Sequence, residues 1–442
     1  MTQMRVFYTL LHFPLLLFLT PTTIFGQDNW SNPNTWPDGQ VPNHNENVVI
    51  PKGKTILLDI STANLGSLTV NGSLLFKDVD LSLPARWIMV HGLLQIGTPE
   101  NPFRSEATIT LTGPNEDFNT MGGRFLSSMS GGSLQFHGQS ASKLSWGQID
   151  SNLAIGDSKL KLTRDPIDWR IGDHIAIAPS GYDPFEAEEV TITGINGRTI
   201  YFSPALKYEH FGELQEYEGK ILDERAEVGM LTRNIKIQGA EDAMERRFGG
   251  HIMIMKSSGP IHVEGVEFTR MGQPGIEGRY NFHWHLAGDR DGDYIKNSSI
   301  HHGLQRGIVA HQTNNVLVEN VVGFNIQNHV FVPAEDGNEV DNTFRNNLAI
   351  LVRKPDEGFF AFPRDGAGGS TQGEQRVAGF WMRNPHNNLI GNHVGGSERG
   401  TGFFFDIRGR GKEFKVFDLL PREVVFSDNV AHSCSVPGYL GN

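Results

Sequence analysis

Leu68-Thr-Val70-Asn-Gly72-Ser-Leu74-Leu-Phe76 is echoed downstream by Ile88-Met-Val90-His-Gly92-Leu-Leu94-Gln-Ile96. Val70 and Val90, Gly72 and Gly92, and Leu74 and Leu94 are each 20 residues apart. Each phrase alternates with the period of two that a strand requires, and its glycine marks a bulge or sharp bend. Leu134-Gln-Phe136-His-Gly138 reads as a third copy. A fixed period near 20 residues predicts stacked β-coils.

The C-terminal half repeats a different phrase, an aliphatic or Phe followed two residues later by Asn, Asp or Gly. The copies are Val263-Glu-Gly265, Ile295-Lys-Asn297, Val318-Glu-Asn320, Phe344-Arg-Asn346, Ile390-Gly-Asn392 and Phe426-Ser-Asp428, with starts 32, 23, 26, 46 and 36 residues apart. The spacing of 46 reads as two coils of 23, and 32 and 36 read as coils with loop insertions. Together the repeats predict an all-β chain ending in a parallel β-helix solenoid, right-handed by the usual rule for parallel crossovers. Asn at the bends can then bond neighbouring turns as a ladder. A β-sandwich is the alternative that short turn spacing allows. Residues 223–231 and 240–247 carry the best helical patterns. Residues 356–375, rich in Gly, Asp, Arg and Ser, read as a loop inserted into the solenoid.

With 442 residues, 38% of them hydrophobic, the chain can bury a large core. Its 51 Gly and 22 Pro have no collagen period, and 10% aromatic residues argue against wholesale disorder. A formal net charge of −12 with no basic block excludes a nucleic-acid binder of the ordinary basic kind. Arg5, the apolar run from Leu15 to Leu19 and the small and polar residues before Gly26 form a secretory signal peptide over residues 1–26. No later segment reaches the ~20 apolar residues of a membrane span. The mature chain is thus expected to be secreted or at the cell surface, with no transmembrane segment. Cys434 is the single cysteine, so neither an intramolecular disulfide nor a thiolate metal site is available.

Trp36-Pro-Asp-Gly39-Gln-Val41-Pro42, Val48-Val-Ile-Pro51-Lys-Gly53, Leu57-Leu-Asp59 and the Gly72 and Gly92 phrases resemble the extracellular eight-glycine (G-eight) domain. The match continues through Gly132-Ser-Leu-Gln-Phe-His137-Gly138 and Trp146. Arg225-Ala-Glu-Val228-Gly-Met-Leu231-Thr-Arg233-Asn-Ile235 is similar to the segment that joins that domain to parallel β-helix repeats in cell-surface hyaluronidase-like proteins and fibrocystins. Further similar phrases are Phe282-His283-Trp-His285-Leu-Ala-Gly288-Asp289, Ser299-Ile-His301-His302, Glu335-Asp336-Gly337 and Asn384-Pro385-His-Asn-Asn388. The resemblance implies a signal peptide (1–26), an eight-glycine domain (27–155), a β-rich connecting region (156–239) and parallel β-helix repeats (240–442). It makes hyaluronan or another acidic polysaccharide the expected partner. It leaves open a glycoside hydrolase, a polysaccharide lyase or a non-catalytic adhesion or matrix-binding module. The last repeat begins at Phe426, sixteen residues before the chain ends. An open solenoid end exposes strand edges, so a truncated product or an end covered by a partner is expected.

Six of the 17 histidines fall at positions 283, 285, 301, 302, 311 and 329. In a strand His283 and His285 share a face, and His311 and Asp336 follow at further intervals of 26 and 25 residues. Stacked coils would place His283, His285, His311 and Asp336 together as ligands for a divalent metal, either Ca²⁺ or a transition metal. Buried imidazoles bonded to backbone carbonyls are the competing structural role.

Asp289-Arg-Asp291-Gly-Asp293 could supply oxygen ligands to Ca²⁺, though the closing Glu of a helix-loop-helix site is absent and a solvated turn is the simpler reading. A hydrolase needs two carboxylates, for which Asp289, Asp291, Glu335 and Asp336 are candidates, with Asp173, Asp183 and Glu188 as a second set. A lyase would need a base and a cation, for which Arg279, His283 or His285 could act with a metal. Trp284, Tyr280, Phe359, Phe360, Phe380 and Trp381 offer flat faces for sugar rings, and Arg270, Arg279, Arg353 and Arg383 could meet carboxylates. Core packing competes for every one of these aromatics.

Overall fold

Alternation of apolar and polar residues winds the chain into rungs of short strands, and each strand pairs in parallel with the equivalent strand one turn on. The computed structural model describes residues 28–114, 121–356, 377–407, 423–435 and, for the backbone, 439–441. The expected signal peptide, Phe359, Phe360 and nearly all of the loop at 356–375 lie outside the described residues. Two sheets of eleven strands and one of nine run the length of the solenoid. The first runs from Asp28–Asn29 to Phe426–Ser427, the second from Asn47–Ile50 to Tyr439–Gly441, and the third from Leu81–Ala85 to Val430–Cys434. The glycine phrases and the asparagine phrases therefore belong to one continuous parallel β-helix. No helix among the described residues is long and apolar enough to cross a membrane.

The 20-residue period is a rung. Val70 pairs with Val90 and Leu74 with Leu94. The next copy differs from the sequence expectation. Leu134 and Phe136 stack on Leu94 and Ile96, in the first sheet, whereas the strand over Ile88 and Val90 is Phe125–Ser128. A Cβ at Gly92 would lie 1.9 Å from the Gly72 carbonyl oxygen, so successive rungs touch through backbone and no side chain fits between.

In the C-terminal half Val263, Ile295, Val318 and Phe344 stack in register, followed by Leu389 and Phe426. The stacked residue is thus Leu389, one before Ile390. The long spacing is also a single rung, since the strands on either side pair directly, with the inserted loop accounting for the length. The residue two positions on is left-handed in every copy: φ is 68° at Gly265, 47° at Asn297, 54° at Asn320, 53° at Asn346, 62° at Gly391 and 57° at Asp428. Gly, Asn and Asp tolerate that conformation best, which explains the phrase. Asn320 donates to Asn297 at 2.9 Å and Asn346 donates to Asn320, forming the expected ladder. Buried Asn342, Asn347 and Asn392 donate to carbonyls of the preceding rung. Inside, aliphatic columns give way to stacked rings, with Phe331 and Phe380 4.7 Å apart and Phe380 and Phe403 5.0 Å apart.

Between two adjacent rungs the chain makes an antiparallel six-stranded sheet, from Trp146–Gln148 to Glu227–Met230, with its own core of Ile149, Leu160, Ile175, Ile192, Phe202 and Val228. The helical expectation for 223–231 fails here because Glu227–Met230 is a central strand, paired on both sides. Ala243–Arg246 is a single helical turn.

This sheet is fastened to the last rungs through Glu227. Its fully buried carboxylate accepts from His393 Nδ1 at 2.6 Å and His432 Nε2 at 2.8 Å. Burial opposes its charge, but His432 and His393 outweigh burial and hold the carboxyl well below the usual range. His432 is raised in turn, Glu227 overcoming the cost of burial. The carboxylate's contribution is complete above its ordinary pKa of about 4.3 and is lost in acid. That of His432 is complete below about 6.5 and fades as pH rises through its raised value. Glu227→Gln should therefore lower the unfolding free energy by about 3 kcal/mol at neutral pH in chemical denaturation. The variant should also lose stability less steeply than the parent below about pH 4. Equal midpoints and equal acid profiles would mean that this clasp contributes nothing.

Candidate functional site

Two neighbouring strands of the second sheet, Phe282–Asp289 and Ile308–Asn314, pair in parallel with His285 directly beside His311. Phe282 and Trp284 point into the core, so His283 and His285 both face outward. The ring centroids of His283 lie 4.9 Å from His285 and 5.6 Å from His311. One nitrogen from each of the three rings falls within 4.8 Å of the other two. His285 Nδ1 and His311 Nδ1 are 3.2 Å apart.

Hydrogen bonds fix which nitrogens carry protons. His283 Nδ1 lies 2.9 Å from the Gly278 carbonyl, a pure acceptor, so this nitrogen holds the hydrogen and Nε2 keeps its lone pair. That Nε2 is buried and has no hydrogen-bond partner. His311 Nε2 faces Asp336 Oδ2 at 3.0 Å, and its Nδ1 shares a hydrogen bond with His285 Nδ1. Glu335 approaches the same space: its Oε2 is 3.8 Å from both His283 Nε2 and His311 Nδ1, is buried, and has no hydrogen-bond partner. The other oxygen, Oε1, is held by the Tyr280 hydroxyl at 2.7 Å and Arg306 Nη1 at 2.5 Å.

Electrostatics suit a cation. Burial and then the two neighbouring imidazoles push the His283 pKa well down, and burial followed by His311 lowers that of His285. His311 is raised: burial works against its charge, and Asp336 and Glu335 overcome it. Imidazole nitrogens such as these three are donors that transition metals like Zn²⁺ take, whereas Ca²⁺ takes oxygen ligands. Of the two expected acids, Asp336 bonds the outer nitrogen of His311, and Glu335 Oε2 lies nearer His283 Nε2 and His311 Nδ1. Such an outer partner orients the ring and raises its basicity.

Backbone strain marks the same place. Leu286 and Gln312, immediately after His285 and His311, have φ of 51° and 44°, unusual for such side chains. Gln312 donates through its side chain to Asp336, and its backbone N–H donates to Glu339. Glu339, fully buried, also accepts from the N–H groups of Asp336 and Gly337 and so fixes the loop carrying both acids. Burial raises its pKa against those bonds. Glu339, Arg306 and Gly278 are the functional supports that sequence reasoning missed. The acidic residue two places after Glu335-Asp336-Gly337 was the available signal for Glu339.

The other candidates are placed elsewhere. Tyr280, Trp284 and Trp381 are almost completely buried, so none offers a ring face to a sugar. Trp284 Nε1 donates to Asp293, and Trp381 stacks on His329 at 4.9 Å. Phe380 lies in the core stack. Asp293 is bound by Arg290 and Trp284, Asp289 accepts from Asn315, and Asp291 is exposed in the turn. This arrangement is a structural turn and does not bring Asp289 or Asp291 among the imidazoles.

Arg279 is buried, bonding Gln273 and packing on Gly122; buried Arg383 lies over Trp381. Arg353 pairs with Asp356, and Arg270 lines a cleft beside the third sheet. In the second set Asp173 binds Lys143, Asp183 caps a short turn, and Glu188 accepts backbone N–H groups of Lys207 and Tyr208. All three are structural.

Residues 35–150 match the family model of the G8 domain, and residues 247–439 match that of the CEMIP beta-helix. A G8 domain-containing protein of Dictyostelium discoideum is 30% identical over 429 residues, covering 92% of this chain and 37% of that protein. Human fibrocystin-L is 30% identical over 426 residues, covering 86% of this chain and 10% of its own length. The chain thus spans little more than a third of the former relative and a tenth of the latter. The tailspike of Acinetobacter baumannii bacteriophage AP22, solved with a capsular saccharide, aligns at 9% identity and a TM-score of 0.18, covering 83% of this chain and 64% of that chain.

Protein prepared without a polyhistidine tag and equilibrated with Zn²⁺ should retain about one equivalent by elemental analysis. His285→Ala with His311→Ala should abolish retention, and Tyr280→Phe should weaken affinity by about 10-fold or more through Glu335. Folded parent protein that takes up no transition metal would remove the site.

Proposed function

From a chain that belongs to the proteins joining a G8 domain to a CEMIP β-helix, we propose an extracellular protein that binds acidic polysaccharides such as hyaluronan and shortens them at the His283, His285, His311 and Glu335 centre. One observation carries this reading: nitrogens of three imidazoles lie within 4.8 Å of one another, and beside them His283 Nε2 and Glu335 Oε2 are buried without a hydrogen-bond partner. A purely structural cluster would satisfy those atoms internally. The side chains of His311 and Asp336 are 18% and 28% exposed, so a polymer on the sheet can reach them. A solenoid face is long and open, which suits an extended chain better than a small molecule.

With a net charge of −12, the protein does not draw a polyanion from a distance. Attraction has to be local, and a bound divalent metal would neutralise a uronate carboxylate and stabilise charge developing beside it. Tyr280 and Arg306 hold Glu335 toward the centre, and Asp336 holds His311. With the aromatic candidates inside the core, grip falls to polar groups of the sheet face.

The test is polymer length. Hyaluronan and other uronate polymers, incubated with the protein, should shorten on size-exclusion chromatography, and both chelator and His285→Ala with His311→Ala should stop it. A rise in ultraviolet absorbance from an unsaturated uronate would assign elimination, and new reducing ends without it would assign hydrolysis. Retention of intact polymer on immobilised protein would instead assign a binding module. Neither retention nor shortening would overturn the proposal.

A further inference from the structure

The outward face of the second sheet carries one continuous column through the imidazole centre. Met89, Ser127, Met253, His283, Val309 and Val332 pair in register, rung on rung. His283 divides this column. Beyond it, Val309 and Val332 point away from the solenoid core and are nonetheless fully buried, in a separate cluster with Tyr280 and Trp381. Before it, Met89 and Met253 are only half-buried, as is Met255, the residue paired with His285. The column opens further toward the first rungs, where Val49 is 56% exposed.

Charge divides at the same level. The corner by which the chain leaves the second sheet for the first is made on successive rungs by residues 51–54, 71–72, 91–92, 129–132 and 256–260. These five segments contain Lys52, Lys54 and Lys256 and no carboxylate. From the imidazoles onward the same corner is made by residues 290–293, 315–316 and 335–342. Those three segments hold six carboxylates and a single cation, Arg290, which is bonded to Asp293. Lys54 pairs with Asp28. Lys52 and Lys256 are exposed, and among the described residues no acid is bonded to either. Lys256 stands one rung before His285. Lys52 lies four rungs earlier, about 19 Å away at the usual strand spacing.

A polyanion is drawn to the first stretch of this corner and repelled by the second, since juxtaposed like charges cost several kcal/mol. Flexible thioethers offer the apolar faces of sugar rings a surface that adapts to them. We propose that an acidic polysaccharide lies along the solenoid axis on the N-terminal side of the imidazole centre, over Met255, Met253 and Met89, with its carboxylates at Lys256 and Lys52. The centre then stands at one end of the bound stretch. This rests on the polysaccharide reading above and supplies its subsites.

Hyaluronan octasaccharide titrated by calorimetry into the protein with chelator present tests the track without cleavage. Lys256→Glu should weaken binding at least about tenfold, and adding Lys52→Glu should weaken it again. Asp291→Asn should not weaken it. Added salt should cost the parent more affinity than it costs Lys256→Glu. The methyl NMR signals of Met253 and Met255 should shift on titration. Both lysines are exposed, so the variants should keep the parent's circular dichroism and melting temperature. Equal octasaccharide affinity in parent and Lys256→Glu, unmoved methionine signals, or a neutral glucan oligosaccharide bound as tightly would overturn the track. Retention or shortening of hyaluronan by the parent would in that case still uphold the function proposed for the centre. A parent that neither retains nor shortens the polymer would remove both.

Discussion

Parallel pairing between successive rungs is the constraint from which the rest follows. Each backbone hydrogen bond ties a residue to the one a full turn later, so side chains some two dozen positions apart become neighbours. That coupling stacks Val263, Ile295, Val318 and Phe344 into one column and sets His285 beside His311 in another. A slip of one residue would turn an inward column to solvent, and the buried aliphatics hold the register against it. The same stacking dictates the corners, where left-handed residues recur and Asn, Asp or Gly is favoured.

Some corners depart from that preference beside the ionisable clusters. Leu286, Gln312, Arg270 and His302 adopt the left-handed conformation without being Gly or Asn. Two of them follow His285 and His311, and two line the cleft beside the third sheet. The solenoid can hold such residues because rungs above and below over-determine the backbone. Glu339 does comparable work for the loop carrying Glu335 and Asp336, accepting three backbone N–H groups in a buried position.

The antiparallel sheet gives the molecule a second folding unit pressed on the first. Its contacts are polar at critical points: Glu227 under His393 and His432, and Trp146 Nε1 on the Asn346 carbonyl. Buried ionic contacts of this kind specify one docking geometry, because displacement would strand a charge in the interior. A polar cleft forms where the two units meet, lined from both sides.

The solenoid itself was legible in the chain, because strands alternate with period two and glycine recurs where Gly92 meets the Gly72 carbonyl. The histidine cluster was legible too, through spacings that match rung length. Exact alignment was not: Leu134 stacks on Leu94, Leu389 replaces Ile390, and one long rung stood where two were expected. Loop insertions change spacing without changing register, so arithmetic on the chain cannot tell an insertion from an extra turn.

By itself, then, the sequence determined a β-helix with outward imidazoles near one level, since those depend on local periodicity. Only the tertiary structure decided that Glu335 faces them, that Asp336 stands behind His311, and that Tyr280, Trp284 and Trp381 are core. Adjacent residues such as Glu335 and Asp336 share every sequence-level property. Which one turns toward the centre is set by partners distant in the chain, Arg306 and Tyr280 for one and Gln312 for the other.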